Sequence, residues 1–393
     1  MKKVFLFSLF LVLGLVLSQC LPVWLGEAFL TAEKVAKTLM FVCLAFIMIN
    51  VGREFELDKT KWRSYAADYF IAMATAAVPW IMVAFYYMFL LPADLFGNWD
   101  AWKENLLLSR FAAPTSAGIL FTMLAAAGLR REWIYKKTQV LAIFDDLDTI
   151  LLMIPLQIFM IGFKWQLFAV VIVITFLLVI GWKKLGTIRL SQTWKSILFY
   201  AVCIVAVTES IYLLTKWMMG ADGAIHIEVL LPAFVLGMVM KTVHQHGNRD
   251  EKITGMISYL FMFLVGLSTP QFIGIDHGHR ITEAVGIIAA QPMPSWEVLV
   301  VHVIVVTLLS NLGKMFPLFF YRDRQLEERL ALSVGMFTRG EVGAGIIVIA
   351  MGYNLGGPAL IISVLSLVLN LLLTGGFVVI LKRLAQQAYG LKE

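Results

Sequence analysis

The sequence predicts an all-α polytopic membrane protein with about 12 transmembrane helices. Of its 393 residues, 60% are hydrophobic and only 15% are charged, and the mean hydropathy is +0.84. A soluble domain is roughly 45–50% apolar and roughly 25% charged, so lipid must solvate much of this chain. The loops between the apolar runs are too short to fold alone. We therefore expect residues 1–393 to form a single transmembrane domain.

Each apolar run is predicted to be a helix, because lipid offers no hydrogen-bonding partner to free backbone amides and carbonyls. The run after Lys2 and Lys3 is interpreted as the first span and not as a signal peptide, since another apolar run follows at once. The spans are placed at 4–25, 35–51, 66–91, 105–128, 138–162, 165–181, 196–218, 225–240, 254–273, 296–320, 330–352 and 358–381.

The lysines and arginines predict the orientation of these spans. With both termini inside, most of them fall in inner segments, and only Lys34, Lys37, Lys103, Lys164, Lys216 and Arg280 fall in outer segments. Cytoplasmic loops carry the excess of positive charge, so we expect a multi-pass protein of the cell (inner) membrane with both termini cytoplasmic. Topology accounts for the net charge of +6, and we predict no nucleic-acid partner. Three basic residues fall within spans: Arg110, Lys314 and Arg339.

Two spans are interrupted by glycine or proline near mid-membrane, the fourth at 112–118 and the eleventh at 339–345. From their order in the chain, these two spans run in opposite directions. Interrupted helices in corresponding positions of two halves point to a transporter site at the midplane. Glycine and proline are common in membrane helices, but the pairing favours function. We therefore predict inverted repeats in which the broken fourth and eleventh helices cross.

The fifth span contains three carboxylates, Asp145, Asp146 and Asp148. Counted from Lys137, Asp146 lies about 13 Å deep, near the middle of a hydrocarbon core about 30 Å thick. Hard cations take oxygen ligands, and two close carboxylates resist ionising together. Such a group holds either a proton or a cation, which is itself an exchange mechanism, whereas the structural alternative is an internal salt bridge. We predict that Asp145 and Asp146 bind Na⁺, with Asp148 as a possible accessory carboxylate.

Lys314 in the tenth span is the candidate partner for this pair. It lies eight residues before Arg322, so about 12 Å from the inner surface, which matches the depth of the two aspartates. A Lys–Asp pair at this depth shares the cost of desolvation. We predict that Lys314 pairs with Asp145 in one state and releases it in another.

Four further residues lie at the interruptions. Arg339 and Glu341 are predicted to neutralise the half-helix ends, whose partial charges of opposite sign point into the membrane. Thr115 and Ser116 are candidate ion ligands through hydroxyl or backbone oxygens. They would equally satisfy backbone groups that the break leaves free.

Three of these motifs together resemble the monovalent cation:proton antiporter superfamily, in its electrogenic, paired-Asp branch with the NhaA-type fold. They are residues 142–146, 312–314 and 338–341, with weaker support from 52–57 and 264–268. The resemblance implies that Asp146 is the exchanging carboxylate and that Asp145 is its partner, salt-bridged to Lys314. It implies exchange of two protons per Na⁺ (or Li⁺), no enzymatic activity, and no cofactor beyond the transported Na⁺ and H⁺.

The resemblance also implies a homodimer in membrane lipid, with a mobile core formed by 66–162 and 296–382 and a dimerisation scaffold formed by 1–65 and 163–295. Two places depart from the family pattern. Many relatives carry a carboxylate where this chain has Ala113 and Pro114, and most carry small or apolar residues where it has Asp148 and Thr149. The second departure bears on ion choice and stoichiometry.

Other functions fit parts of the pattern. A K⁺/H⁺ efflux antiporter on the same fold would share the carboxylate pair, although such relatives often carry a ligand-gating cytosolic domain. A Na⁺-coupled solute symporter would need further polar groups around a larger cavity. An intramembrane aspartyl protease uses carboxylates from two helices within a Gly-x-Gly-Asp signature, which this sequence lacks.

Overall fold

The computed structural model describes residues 2–25, 28–53, 62–116, 132–161, 166–184, 186–219, 229–241, 248–268, 286–353 and 355–390, together with Leu120, Leu124 and Leu129. These residues form helices and no β-strand, as the composition predicts. The α-helices are α1 Lys2–Leu25, α2 Ala28–Arg53, α3 Trp62–Phe89, α4 Trp99–Ser109, α5 Trp133–Ile161, α6 Gln166–Lys183, α7 Trp194–Met219, α8 Leu230–Val239, α9 Asn248–Leu267, α10 Trp296–Gly313, α11 Leu326–Gly335, α12 Glu341–Gly352 and α13 Gly357–Tyr389.

Short 3₁₀ turns flank two of the helices that build the site. Arg110–Ala112 follows α4, and Phe316–Phe319 follows α10. Within the described residues, the helices long and apolar enough to cross a membrane are Ala32–Arg53, Ala66–Phe89, Trp194–Met218, Trp296–Phe319 and Gly357–Tyr389. The chain is a multi-pass membrane protein, and the number of about 12 spans stays a prediction.

The helices divide into two compact units. The first comprises Met1–Gly26, Thr60–Leu156 and Val265–Glu393, and the second comprises Glu27–Lys59 and Gln157–Leu264. Helix α1 belongs to the first unit, where it contacts α13. The division into a mobile core at 66–162 and 296–382 and a scaffold at 1–65 and 163–295 stays a prediction.

In the first unit, α3 and α10 pack closely and set the position of Lys314. Gly313, the last residue of α10, lies against the backbone of Pro79 in α3, where a side chain has no room. Helix α10 ends there, and Lys314 follows as its C-terminal cap residue. The glycine in 312–314 therefore lets the two helices approach, and Lys314 follows it with a side chain that is 0% exposed.

Hydrogen bonds between polar side chains join α10 to α13 and α3 to α13 in the same unit. The hydroxyls of Thr307 and Ser366 lie 2.8 Å apart, and those of Tyr87 and Ser363 lie 2.7 Å apart. The amide nitrogen of Asn370 donates to Oδ1 of Asn311 at 2.9 Å. All of these side chains are buried, so the hydrogen bonds satisfy groups that would otherwise destabilise the bundle.

In the second unit, α2 packs on α8 through a contact between glycines. Gly52 lies against the carbonyl of Phe234, and Gly237 lies against that of Ile49, with no room for a side chain at either position. Small residues of this kind allow close backbone approach in membranes. Arg53, at the end of α2, donates to the Gln192 side chain at 3.0 Å and so ties that end to the segment before α7.

Candidate transport site

Both predicted helix interruptions are present among the described residues. Helix α4 ends at Ser109, the 3₁₀ turn Arg110–Ala112 follows, and residues 113–116 are not helical. The eleventh span is divided into α11 and α12 by the segment 336–340. The predicted bounds of 339–345 were therefore wrong, because residues 341–345 already form the first turn of α12 and the glycines at 343 and 345 are helical. Between the first break and residue 132, the described residues are Leu120, Leu124 and Leu129, and all three are buried.

The two unwound segments cross and bond to one another. The backbone amide of Ser116 donates to the Thr338 carbonyl at 2.9 Å, and the Thr115 hydroxyl donates to the Met336 carbonyl at 3.1 Å. The Thr338 hydroxyl approaches the Ser116 carbonyl at 3.4 Å. Each segment thus supplies partners for backbone groups that the other leaves free. This arrangement favours the structural interpretation of Thr115, and a role for Thr115 or Ser116 as an ion ligand stays a prediction.

Arg339 lies at this crossing and is 1% exposed. Its Nη1 donates to the carbonyl of Met336 at 3.1 Å and to that of Pro114 at 3.3 Å, and its Nη2 donates to the Ser310 carbonyl at 3.1 Å. Met336 is the cap residue at the C-terminus of α11, where the helix dipole leaves partial negative charge. The guanidinium thus lies at that half-helix end, and its role in neutralising the partial charge stays a prediction.

The Lys314 ammonium pairs with Asp145 at the centre of the first unit. Lys314 Nζ donates to Asp145 Oδ2 at 2.8 Å, and both side chains are 0% exposed. The other carboxylate oxygen of Asp145, Oδ1, is buried and makes no hydrogen bond among the described residues. The contact expected from the matching depths is therefore observed, with one oxygen of the carboxylate still available.

The side chains of Asp146 and Glu341 lie outside the described part of the structure. Their backbones are described: Asp146 lies in α5, and Glu341 is the first residue of α12. Because successive helix positions differ by about 100°, position 146 is displaced around α5 from position 145. The predicted roles of Asp146 and Glu341 stay predictions.

A second buried ion pair was not foreseen from the sequence. Arg110 Nη2 donates to Asp148 Oδ2 at 3.3 Å and to the Asp148 carbonyl oxygen at 3.0 Å, and the two side chains are 0% and 2% exposed. The guanidinium carbon lies 4.4 Å from the centroid of the Trp80 ring, which is a cation–π contact. Trp80 is itself held by its indole nitrogen, which donates to the Leu106 carbonyl at 2.7 Å. Asp148 therefore has a dedicated counterion on α4's 3₁₀ turn.

The three basic residues within the predicted spans thus meet in one bundle. Arg110 and Lys314 are 0% exposed, and they pair with Asp148 and Asp145, which lie on neighbouring turns of α5. Arg339 donates to the carbonyl of Ser310, one turn before Lys314 on α10. Buried charges are tolerated only when they are paired, so this cluster is held together by mutual compensation.

A third ion pair joins α3 to α5 away from this cluster. Lys137 Nζ donates to both oxygens of Asp68, at 2.9 and 2.8 Å, and the Tyr321 hydroxyl donates to Asp68 Oδ1 at 2.8 Å. The Lys137 ammonium also lies 5.0 Å from the Tyr321 ring centroid. Asp68 showed no partner in the sequence, because Lys137 was assigned to the loop before the fifth span.

Comparison with known proteins identifies the class of transporter. The family model described as "Sodium/hydrogen exchanger, transmembrane" matches residues 2–385. No curated protein sequence matches the chain. The structure of the sodium proton antiporter MjNhaP1 from Methanocaldococcus jannaschii at pH 8 aligns with a TM-score of 0.56 and 13% identity, covering 98% of this chain and 92% of that one. A structure of the same antiporter from an electron-microscopy map gives a TM-score of 0.52, with the same 13% identity and coverage of 98% and 92%.

Proposed function

The chain belongs to the sodium/hydrogen exchanger family, whose members are transporters and not enzymes, and we propose that it exchanges Na⁺ or Li⁺ for H⁺ across the cell membrane. Family membership and the antiporter fold support cation/proton antiport as the general activity. The choice of cation, the electrogenic stoichiometry and the residues that bind the ion are our proposal.

The observation that carries the proposal is the buried Asp145–Lys314 pair with its unpartnered Oδ1. An unsatisfied buried polar atom costs about 1–3 kcal/mol, and the cost is larger when the group is charged. Binding of a cation to Asp145 and Asp146 would remove this cost and compete with Lys314 for the carboxylate. Protonation at the same site would compete with the cation in turn.

Coupling between the movements of the two ions follows from this competition. We propose that the cation and the protons bind to the same carboxylates in turn, so that the site crosses the membrane occupied by one or the other. The crossed segments at 113–116 and 336–340 support this proposal, because they bring half-helix ends to the bundle interior, and such ends form ion sites in transporters. We further propose that two protons move per Na⁺, that the protein is a homodimer, and that both termini are cytoplasmic.

The direct test uses everted membrane vesicles from a host that lacks its own antiporters, with an acid interior followed by a pH-sensitive dye. Addition of Na⁺ or Li⁺ is expected to collapse the gradient with the wild type and to have no effect with Asp146→Asn. Glu209→Gln is the matched control, since Glu209 is another carboxylate within a span but belongs to the second unit. This variant should transport as the wild type does.

Two outcomes would overturn the proposal. If K⁺ alone collapses the gradient, the protein is a K⁺/H⁺ antiporter on the same fold. If no cation acts although the protein is folded and inserted, cation/proton exchange by this chain is wrong, and a Na⁺-coupled solute symporter is the next function to test.

A further inference from the structure

Thr149, one turn beyond Asp145 on α5, has a hydroxyl that makes no hydrogen bond to its own helix. Among the other buried helical threonines of the first unit, Thr138 shares this property, whereas three donate to the carbonyl oxygen four residues earlier: Thr75 to Ile71 at 2.6 Å, Thr307 to Val303 at 2.7 Å and Thr374 to Asn370 at 2.8 Å. Thr149 is 1% exposed, yet its Oγ1 makes no hydrogen bond among the described residues. The default local partner is not used, so this oxygen is left available to another group.

The position of Thr149 on the helix places it at the predicted ion site. Relative to position 145, position 149 is rotated by about 40° and position 146 by about 100°, so position 149 lies one turn along the axis and between the two aspartates in rotation. Position 148 is rotated by about 60° in the opposite direction. Helix α5 therefore presents Thr149 on the Asp146 side and Asp148, with its Arg110 counterion, on the other side.

Asp145 Oδ1 is the second unpartnered oxygen on this face. Residues four apart are neighbours on a helix surface, with Cβ atoms about 5–6 Å apart. Asp145 Oδ1 and Thr149 Oγ1 are both buried, and neither is hydrogen-bonded to the other. A carboxylate oxygen and a hydroxyl oxygen one helical turn apart, neither of them hydrogen-bonded, offer lone pairs to a third group that lies between them. Hard cations prefer oxygen ligands of these types.

We propose that the Thr149 hydroxyl is a ligand of the transported monovalent cation, alongside the Asp145 carboxylate. This inference rests on the proposed function and deepens it, because it assigns a neutral oxygen to a site so far made only of carboxylates. A proton on a carboxylate needs no further oxygen ligands, whereas Na⁺ and Li⁺ must replace their hydration shell. Thr149 therefore contributes to cation affinity.

The experiment measures initial rates of Na⁺/H⁺ exchange in proteoliposomes against Na⁺ concentration, at an alkaline pH where protons compete least. Thr149→Val has nearly the same shape and lacks the hydroxyl. Its KM for Na⁺ is expected to rise about tenfold, which corresponds to about 1.4 kcal/mol, with a maximal rate within about twofold of wild type. Thr149→Ser keeps the oxygen and should stay near the wild-type KM.

Thr138→Val is the matched control. Thr138 lies on the same helix, is 1% exposed, and its hydroxyl also lacks a partner among the described residues, but it lies about 10 Å away along the axis from Asp145. Its KM for Na⁺ should not change. Should Thr149→Val fold poorly, Thr149→Cys serves instead, because a thiol keeps the volume and is a poor ligand for a hard cation.

The outcomes distinguish the ligand role of Thr149 from the proposed cation/proton exchange. If the wild type exchanges Na⁺ or Li⁺ but Thr149→Val keeps the wild-type KM, or shifts it no more than Thr138→Val does, the ligand role of Thr149 is wrong and the proposed function stands. If the wild type itself moves neither Na⁺ nor Li⁺, the proposed function is wrong and the ligand role is rejected with it.

Discussion

Two buried ion pairs lie one helical turn apart on α5, and they are built differently. Asp145 is bonded to a lysine ammonium through Oδ2 and keeps Oδ1 unpartnered. Asp148 is bonded through both its carboxylate and its backbone carbonyl to Arg110, whose guanidinium also lies over the Trp80 ring. Lysine is a compact charge on a flexible stem, whereas arginine is a planar group that stacks and binds at fixed angles.

This difference suggests that the two ion pairs on α5 have different roles. A pair that must open during each transport cycle is better served by lysine, because an ammonium on a flexible stem makes no fixed-angle contact and is displaced by a cation more readily than a stacked guanidinium. A pair that must stay closed is better served by arginine held between a carboxylate and an aromatic ring. We therefore infer that Asp145–Lys314 is the exchangeable pair and that Asp148–Arg110 holds α4 against α5.

The largest effect is expected from removing the fixed pair's cation with Arg110→Ala. The substitution leaves the Asp148 charge buried without a counterion and empties the space over Trp80. Removing one partner of a buried pair costs about 3–5 kcal/mol. Thermal unfolding of the detergent-purified protein should show a large fall in Tm that Na⁺ does not reverse.

The double variant Arg110→Ala with Asp148→Asn is the control for that result, because it removes the unpaired charge. It should recover part of the lost stability. A single variant as stable as the wild type would contradict the inferred role of Arg110 in holding the two helices together.

A smaller and ion-dependent effect is expected from Lys314→Gln. The substitution removes the Asp145 counterion, but the carboxylate can then take a proton or a cation in place of the ammonium. The loss of stability should be about 1–3 kcal/mol, and saturating Na⁺ should restore much of it because a ligand that binds only the folded state stabilises it. Tm measured with and without Na⁺ distinguishes the two pairs. If Na⁺ raised the Tm of Lys314→Gln and of Arg110→Ala by the same amount, the proposed distinction between the two ion pairs would be wrong.

The sequence predicted the Asp145–Lys314 pair and not the Asp148–Arg110 pair. Lys314 was matched to Asp145 by counting residues from the nearest loops, and α5 is a regular helix from Trp133 to beyond Asp145. On the other side α10 ends at Gly313, and the 3₁₀ turn Phe316–Phe319 lies between Lys314 and Arg322, so a rise of about 1.5 Å per residue does not apply there and the depth of Lys314 was matched only approximately. Arg110 was recognised as a charge within a span, but its direction depends on the 3₁₀ turn Arg110–Ala112. Local sequence does not determine how such a turn rotates a side chain relative to the next span.

The crossing of the broken helices was predictable in outline and not in its contacts. Pro114 marked the break of the fourth span, and Gly340 marked that of the eleventh, where Gly343 and Gly345 are helical. Which backbone groups bond across the crossing, such as the Ser116 amide to the Thr338 carbonyl, depends on the tertiary approach of two distant segments. The sequence also did not predict that the Thr149 hydroxyl lacks a hydrogen bond, because a threonine on a helix normally donates to its own backbone.

The smallest effect is expected at the third pair, with Asp68→Asn. Asp68 and Lys137 are 7% and 19% exposed, and an asparagine oxygen still accepts hydrogen bonds, so the loss of unfolding free energy should be only about 1 kcal/mol.

The same carboxylate affects the pKa of Tyr321. Burial, and then the Asp68 carboxylate, raise the pKa of Tyr321 above its ordinary value of 10.0. A raised pKa favours the folded state below the ordinary value and loses this contribution as pH rises above it. The wild type should therefore lose stability at strongly alkaline pH, and Asp68→Asn should lose less. Tm measured from neutral to alkaline pH tests this, and an equal alkaline loss in both proteins would show that Asp68 does not set the pKa of Tyr321. The KM for Na⁺ should be unchanged in this variant, because the pair lies apart from the cluster around Asp145.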